Sequence, residues 1–185
     1  HMSDISIDLS TNNLTVHKRN VEPWKITLVD TGKDTLTGGR LKRVKEHLKD
    51  EDAFCLTYGD GLSNVDISRL IQFHKAHGKS ATITAVVPPG RYGALEIDGD
   101  QVTSFKEKPD GGLINGGFFV LSPKVFGLIK GDKTSWENGP LSELSNLNQL
   151  KAYKHYGFWQ PMDTLREKNL LQELWDSGDP PWKTW

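Results

Sequence analysis

The chain has 185 residues, and 23 Lys and Arg against 24 Asp and Glu leave a formal charge of −1 with histidine neutral. That balance excludes the basic footprint of a nucleic-acid or polybasic membrane binder. Apolar residues make up 36% and there are 18 glycines, the composition of a globular chain with a core rather than of a disordered one. No apolar run approaches the roughly 18 residues that cross a bilayer. His1-Met2-Ser3-Asp4 has neither the basic nor the apolar region of a signal peptide, so a soluble, cytoplasmic protein is expected. Without repeats, low-complexity tracts or linker-like stretches, residues 1–185 are expected to form a single domain.

In chain order, residues 5–9 and 14–17 alternate apolar with polar and predict half-buried strands, and residues 26–29 predict another. A turn-rich stretch over 31–39 leads into a helix expected over 40–49, with Leu41, Val44 and Leu48 on one face. The apolar run 53–57 predicts a strand buried on both faces that stops at Tyr58-Gly59-Asp60-Gly61. Its Cys55, the single cysteine, excludes a disulfide framework and is expected as a small buried hydrophobe. Residues 65–77 predict a helix capped by Asn64 or Ser63 and stopped by Gly78. A buried strand over 81–87, a hairpin over 93–105 turning at Asp98-Gly99-Asp100, and a strand over 115–121 follow. A short helix over 123–129, one marked by Leu141, Leu144 and Leu147, and a last one over 165–175 complete the pattern. Strands alternating with helices make this an α/β chain.

Several chemistries are absent: there is no Walker A loop, G-x-G-x-x-G, H-E-x-x-H, C-x-x-C or G-x-S-x-G. His74 and His77 share a helix face, but with no third ligand nearby they are expected as one buried and one solvated histidine rather than a metal pair.

Four segments stand out together. They are Thr57-Tyr58-Gly59-Asp60-Gly61, Arg91-Tyr92-Gly93-Ala94-Leu95, Phe105-Lys106-Glu107-Lys108-Pro109 followed by Ile114-Asn115-Gly116-Gly117-Phe118, and Gly157-Phe158-Trp159-Gln160-Pro161-Met162-Asp163-Thr164. In this order they resemble the sugar-phosphate nucleotidyltransferases. Glu22-Pro23-Trp24, Leu28-Val29-Asp30-Thr31-Gly32 and Thr37-Gly38-Gly39-Arg40-Leu41-Lys42-Arg43 resemble the branch of that family that uses CTP.

The resemblance implies a Rossmann-like, GT-A-type fold: a mixed, mostly parallel sheet flanked by helices, with a small β-hairpin and C-terminal helical appendage. It implies attack by an oxygen of glucose 1-phosphate on the α-phosphorus of CTP, giving CDP-glucose and pyrophosphate for the deoxysugars of bacterial surface polysaccharide. Two polyanions must meet, and Mg²⁺ commonly binds one or two carboxylates together with substrate phosphates. Asp60 and Asp163 are the matched metal pair; alone, each also fits a turn residue and a helix N-cap. Lys108 matches the lysine that pairs with the sugar phosphate and Glu107 the acceptor of sugar hydroxyls, though both also fit exposed hairpin positions. Tyr92, Gly93, Asn115 and Trp159 are the remaining sugar-side candidates. Gly38, Gly39, Arg40 and, more weakly, Thr57 are the nucleotide-side candidates. A homo-oligomer is implied as well.

The family's first strand and its G-G-x-G-T-R-L loop, which cradle the nucleotide phosphates, do not occur in the sequence. About two βα units are expected to be missing. The 185 residues by themselves are expected to turn over negligibly, and a catalytically silent sugar-phosphate-binding module is the alternative. A metal-dependent glycosyltransferase fits less well, because Gly59-Asp60-Gly61 supplies one carboxylate where Asp-x-Asp is usual.

Overall fold

The computed structural model describes residues 4–17, 24–89, 94–98, 100–106 and 112–184. The chain divides into two compact units, His1–Asp30 and Thr31–Trp185.

In the first unit β1 (Ile5–Asp8) and β2 (Asn13–Val16) form an antiparallel hairpin with Ile5 opposite Val16 and Asp8 opposite Asn13. Its turn is built on Asp8, whose carboxylate accepts the Ser10 hydroxyl at 2.6 Å and the amides of Ser10 and Thr11 at 2.9 and 3.3 Å. These donors hold the Asp8 carboxyl down to about 2. The alternation predicted half-buried strands, yet Ile5, Ile7 and Leu14 are all exposed. Among the described residues of this unit, no second layer covers the apolar face of the ribbon. The strand expected over 26–29 does not form, and Ile26, Leu28 and Val29 are exposed as well.

The second unit is built on a four-stranded sheet. In chain order its strands are β3 (Phe54–Thr57), β4 (Gly61–Ser63), β5 (Ala81–Val86), β6 (Ala94–Asp98), β7 (Gln101–Lys106), β8 (Ile114–Leu121), β9 (Leu150–His155) and β10 (Trp159–Pro161). The main sheet has the order β3-β8-β5-β9; β3, β5 and β9 run the same way and β8 runs against them, so the sheet is mixed. The hairpin β6–β7 pairs as expected, with a register shift between Glu96 and Ile97. The strands β4, β9 and β10 are not foreseen, being short or, in β9, largely exposed. Central β5 is buried along most of its length, whereas β3 is an edge among the described strands. Cys55 on β3 is therefore exposed, contrary to expectation, and partial desolvation pushes its thiol above the usual range.

Helix α1 (Thr37–Arg43) starts three residues before the expected helix and passes through Val44 into a 3₁₀ turn over Lys45–His47. Leu41 joins a core of Phe54, Phe119, Leu121, Phe126, Ile129 and Trp136, and Val44 and Leu48 pack against it. Helix α2 (Ile67–His77) ends at left-handed Gly78 as foreseen, but its N-cap is Asp66, which accepts the Arg69 amide at 2.9 Å. The Ser63 hydroxyl donates instead to the Phe158 carbonyl at 2.8 Å. Residues Pro123–Leu128 form a 3₁₀ helix, α3 spans Pro140–Asn146 and α4 spans Leu165–Asp176.

His74 is buried and His77 half-buried, and both rings meet one hydroxyl. His74 Nδ1 and His77 Nε2 lie 2.8 and 2.7 Å from Thr82 Oγ1 on β5. The Lys79 amide donates to His77 Nδ1 at 2.9 Å, so in the neutral ring His77 Nε2 carries the hydrogen and donates to Thr82. The Thr82 hydroxyl is then free to donate to His74 Nδ1. Both rings are thus occupied in tying α2 to the sheet.

Candidate active site

Open α/β sheets bind ligands beyond the carboxyl ends of their strands. There β3 ends at Thr57, and Tyr58 continues it by donating its amide to the Gly117 carbonyl at 3.2 Å. Gly117 has φ +77°, and a Cβ there would stand 2.8 Å from Tyr58 Cδ2, so the phenol ring lies over bare backbone. The Tyr58 hydroxyl donates to Glu137 Oε1 at 2.6 Å, while Glu137 Oε2 accepts the Thr37 and Ser135 hydroxyls, each at 2.8 Å. Burial alone would raise the Glu137 carboxyl, but the hydroxyls of Tyr58, Ser135 and Thr37 hold it below the usual range. Burial and the bond to Glu137 push the Tyr58 phenol well above its ordinary value. Nothing in the sequence signals this pairing, because the two residues lie 79 positions apart.

On the α1 side, Gly38 and Gly39 are buried against the 132–136 backbone. A Cβ on Gly39 would clash with the Asp132 carbonyl oxygen and one on Gly38 would stand 2.8 Å from that of Thr134. Close helix–loop packing therefore requires both glycines whatever else they do. The exposed Arg40 braces the preceding loop, donating to Thr31 Oγ1 at 2.7 Å and to the Lys33 carbonyl at 3.1 Å. Thr57 is exposed and its hydroxyl donates to the Tyr58 carbonyl at 3.1 Å. A hollow of about 270 Å³ lies here, lined by Thr31, Thr37, Arg40, Leu41, Tyr58 and Trp136 among others.

On the other side β4 and β10 form an antiparallel ribbon with Gly61 opposite Pro161. The ladder continues one step further, because the Met162 amide donates to the Asp60 carbonyl at 2.7 Å. Asp60 and Asp163, 103 positions apart in the chain, are thereby brought to one ribbon end, and both are exposed. Asp163 is not the N-cap of α4; that position is taken by Thr164, whose side chain accepts the Glu167 amide. Among the described residues neither carboxylate has a hydrogen-bond or ion-pair partner, so both are available to a ligand.

Trp159 is half-buried and its indole N–H donates to the Gly116 carbonyl at 2.8 Å, which ties β10 to β8. Asn115 is exposed and its side chain accepts the Gly117 amide at 2.8 Å. Asn115, Trp159, Tyr58 and Asp60 thus converge on one strand end. Tyr92, Gly93, Glu107 and Lys108 lie outside the described residues. No group of three or more potential metal ligands occurs among the described residues. Two free carboxylates nevertheless match the share of ligands a protein usually gives Mg²⁺ at a phosphate site.

A mixed sheet flanked by helices makes this an α/β protein. Residues 14–161 match the family described as Nucleotidyl transferase, and the chain belongs to that family. It is 58% identical over 187 aligned positions to a glucose-1-phosphate cytidylyltransferase of Salmonella typhi, an alignment that covers all of this chain and 73% of that protein. A mannose-1-phosphate guanyltransferase of Candida albicans is 35% identical over 73% of this chain and 39% of its own length. Among solved structures, HddC from Yersinia pseudotuberculosis superposes with a TM-score of 0.54 at 24% identity. That match covers 77% of this chain and 64% of HddC, and it shows the shared fold. No helix among the described residues is long and apolar enough to cross a membrane.

Proposed function

We propose that this protein transfers a cytidylyl group from CTP to glucose 1-phosphate, forming CDP-glucose and releasing pyrophosphate. A phosphate oxygen of the sugar attacks the α-phosphorus of CTP, and the bond from that phosphorus to the departing pyrophosphate breaks. The observation that carries this reading is the pair of free aspartates, Asp60 and Asp163, held at one ribbon end by the Met162–Asp60 backbone bond. The 58% identity to a protein named for that activity supports the choice of substrates.

Asp60 and Asp163 would hold a divalent cation, for which Mg²⁺ is the candidate; when bound it neutralises phosphate charge. Lys108 pairs with the phosphate of the incoming sugar as a positioning charge, and Glu107 accepts from the sugar hydroxyls. Asn115 offers an amide to the same sugar and Trp159 a wall of its pocket; Tyr92 would supply a flat apolar face, and Gly93 would allow backbone to approach the ligand closely. Gly38, Gly39 and Arg40 face the pyrimidine side through backbone and guanidinium groups, with Thr57 beside them. Buried donors and acceptors matched to cytosine would reject other bases, because a mismatch leaves them unpaired. A cytoplasmic, homo-oligomeric enzyme belongs to the same reading, and light scattering of the purified chain tests the assembly.

The experiment is thermal denaturation with nucleotide sugars. CDP-glucose with Mg²⁺ raises the melting temperature by mass action, and EDTA lowers that gain. An equal rise with UDP-glucose overturns the assignment to cytidine, and no rise with either overturns nucleotide-sugar binding by these 185 residues and favours the catalytically silent module.

A further inference from the structure

The first turn of α4 contains an acidic residue where an exposed one is the rule. Leu165, Arg166 and Lys168 are exposed, but Glu167 is only 5% accessible. Burying a carboxylate is unfavourable unless hydrogen bonds compensate it. Here Oε2 accepts the Thr164 amide at 2.9 Å and the Thr164 hydroxyl at 3.0 Å. The Thr164 hydroxyl in turn accepts the Glu167 amide at 3.3 Å, completing a capping box.

One bond goes beyond what a capping box needs. The Asp163 amide also donates to Glu167 Oε2, at 3.0 Å. Three successive amides are therefore fixed: that of Met162 by the Asp60 carbonyl, and those of Asp163 and Thr164 by Glu167. The peptide planes on both sides of Asp163 are pinned while its carboxylate stays exposed. Because Met162 is anchored to Asp60, fixing Asp163 also fixes its spacing from the other aspartate.

We propose that Glu167 is a positioning residue of the cation site: its buried carboxylate clamps the Asp163 backbone so that the Asp60 and Asp163 carboxylates meet one divalent ion. The proposal rests on the reading of Asp163 as a metal ligand. Glu167 acts through the backbone and touches neither metal nor substrate. Groups that orient metal ligands from behind typically change metal affinity by about 10- to 100-fold when removed.

The test is Mn²⁺ binding to the full chain in the presence of CDP-glucose, followed by electron paramagnetic resonance, with a melting curve for each variant. Glu167→Ala removes the clamp; Glu167→Gln keeps an acceptor but not the charge; Thr164→Ala removes the cap hydroxyl but leaves the Asp163–Glu167 bond. The clamp predicts Mn²⁺ binding weakened about 10-fold in Glu167→Ala, less in Glu167→Gln, and little in Thr164→Ala at a comparable loss of melting temperature. Should Glu167→Ala fail to fold, Glu167→Gln against Thr164→Ala decides by the same ranking. If Asp163→Asn abolishes binding while the Glu167 and Thr164 variants behave alike, Glu167 is only a helix cap and the clamp is wrong. If the unaltered chain and Asp163→Asn bind Mn²⁺ equally, the metal reading fails and takes the clamp with it.

Discussion

The two sides of the strand end use acidic side chains in opposite ways. Beneath α1, Glu137 is saturated by three hydroxyls and sits among buried glycines and aromatics. At the ribbon end, Asp60 and Asp163 are exposed, and among the described residues they have no partner. A saturated carboxylate holds a scaffold together, whereas an unsaturated one is available to a ligand and contributes little to folding. The sharpest way to break this contrast is Asp163→Asn or Asp60→Asn. Each is expected to abolish the Mg²⁺-dependent part of the CDP-glucose melting shift while leaving the ligand-free melting temperature within about 2 °C, the range of a neutral surface change. A large drop in the ligand-free value would show these carboxylates to be structural after all.

The scaffold side answers differently. Gly117→Ala introduces a side chain at φ +77° and drives a Cβ to 2.8 Å from the Tyr58 ring. Left-handed strain of about 1 to 2 kcal/mol and overpacking of similar size add to about 3 kcal/mol. A chain of this size then melts about 6 to 12 °C lower. Gly59→Ala, two residues along the same strand exit, meets no atom within 4 Å and is expected to leave melting unchanged. Tyr58→Phe is milder than Gly117→Ala: it keeps the ring but leaves Glu137 Oε1 without its hydroxyl donor. Because Glu137 is half-buried, water can replace the lost donor and the cost is that of an ordinary hydrogen bond, about 0.5 to 1.5 kcal/mol, measurable by urea denaturation. Unchanged stability in Tyr58→Phe would mean that Glu137 is not the anchor its geometry indicates.

The same division governs what the sequence discloses. Segments whose residue types state their role are legible: β5 by its short β-branched run, α2 by its periodicity and terminal glycine, and the hairpin β6–β7 by its Asp-Gly-Asp turn. The aspartates are found through motif resemblance, since one carboxylate in a turn carries no signal of a partner 103 positions away. Features that depend on tertiary neighbours are not legible. Alternation in β1 and β2 looks half-buried because it cannot say whether anything covers the ribbon. Cys55 looks buried because position at a sheet edge is invisible in a tetrapeptide. Gly38 and Gly39 suggest a ligand loop, although packing against the 132–136 backbone already demands them. Glu137 and Glu167 escape notice because what distinguishes them is the number of donors that folding brings to each oxygen.

The smallest expected effect concerns a third arrangement of polar groups, the chain from the Lys79 amide through His77 and Thr82 to His74. Like Glu137, these rings are spent on holding two elements together, but unlike it they gain charge on acidification. Burial lowers both titrations, that of His74 further through His77 and that of His77 through Lys151 and Lys79. A proton on His77 Nδ1 would face the Lys79 amide donor and break that bond. Because the folded rings bind protons less readily than free histidine near 6.5, their contribution is complete above that pH and lost as pH falls through the lowered folded values. Melting temperature is therefore expected to fall between pH 7.5 and 5.5. His77→Phe keeps an aromatic against Phe73 but removes one titration and its influence on His74, so its melting curve should depend less on pH across that interval. If the variant and the unaltered chain lose stability in parallel on acidification, the pH response originates elsewhere, and the two rings are held by packing alone.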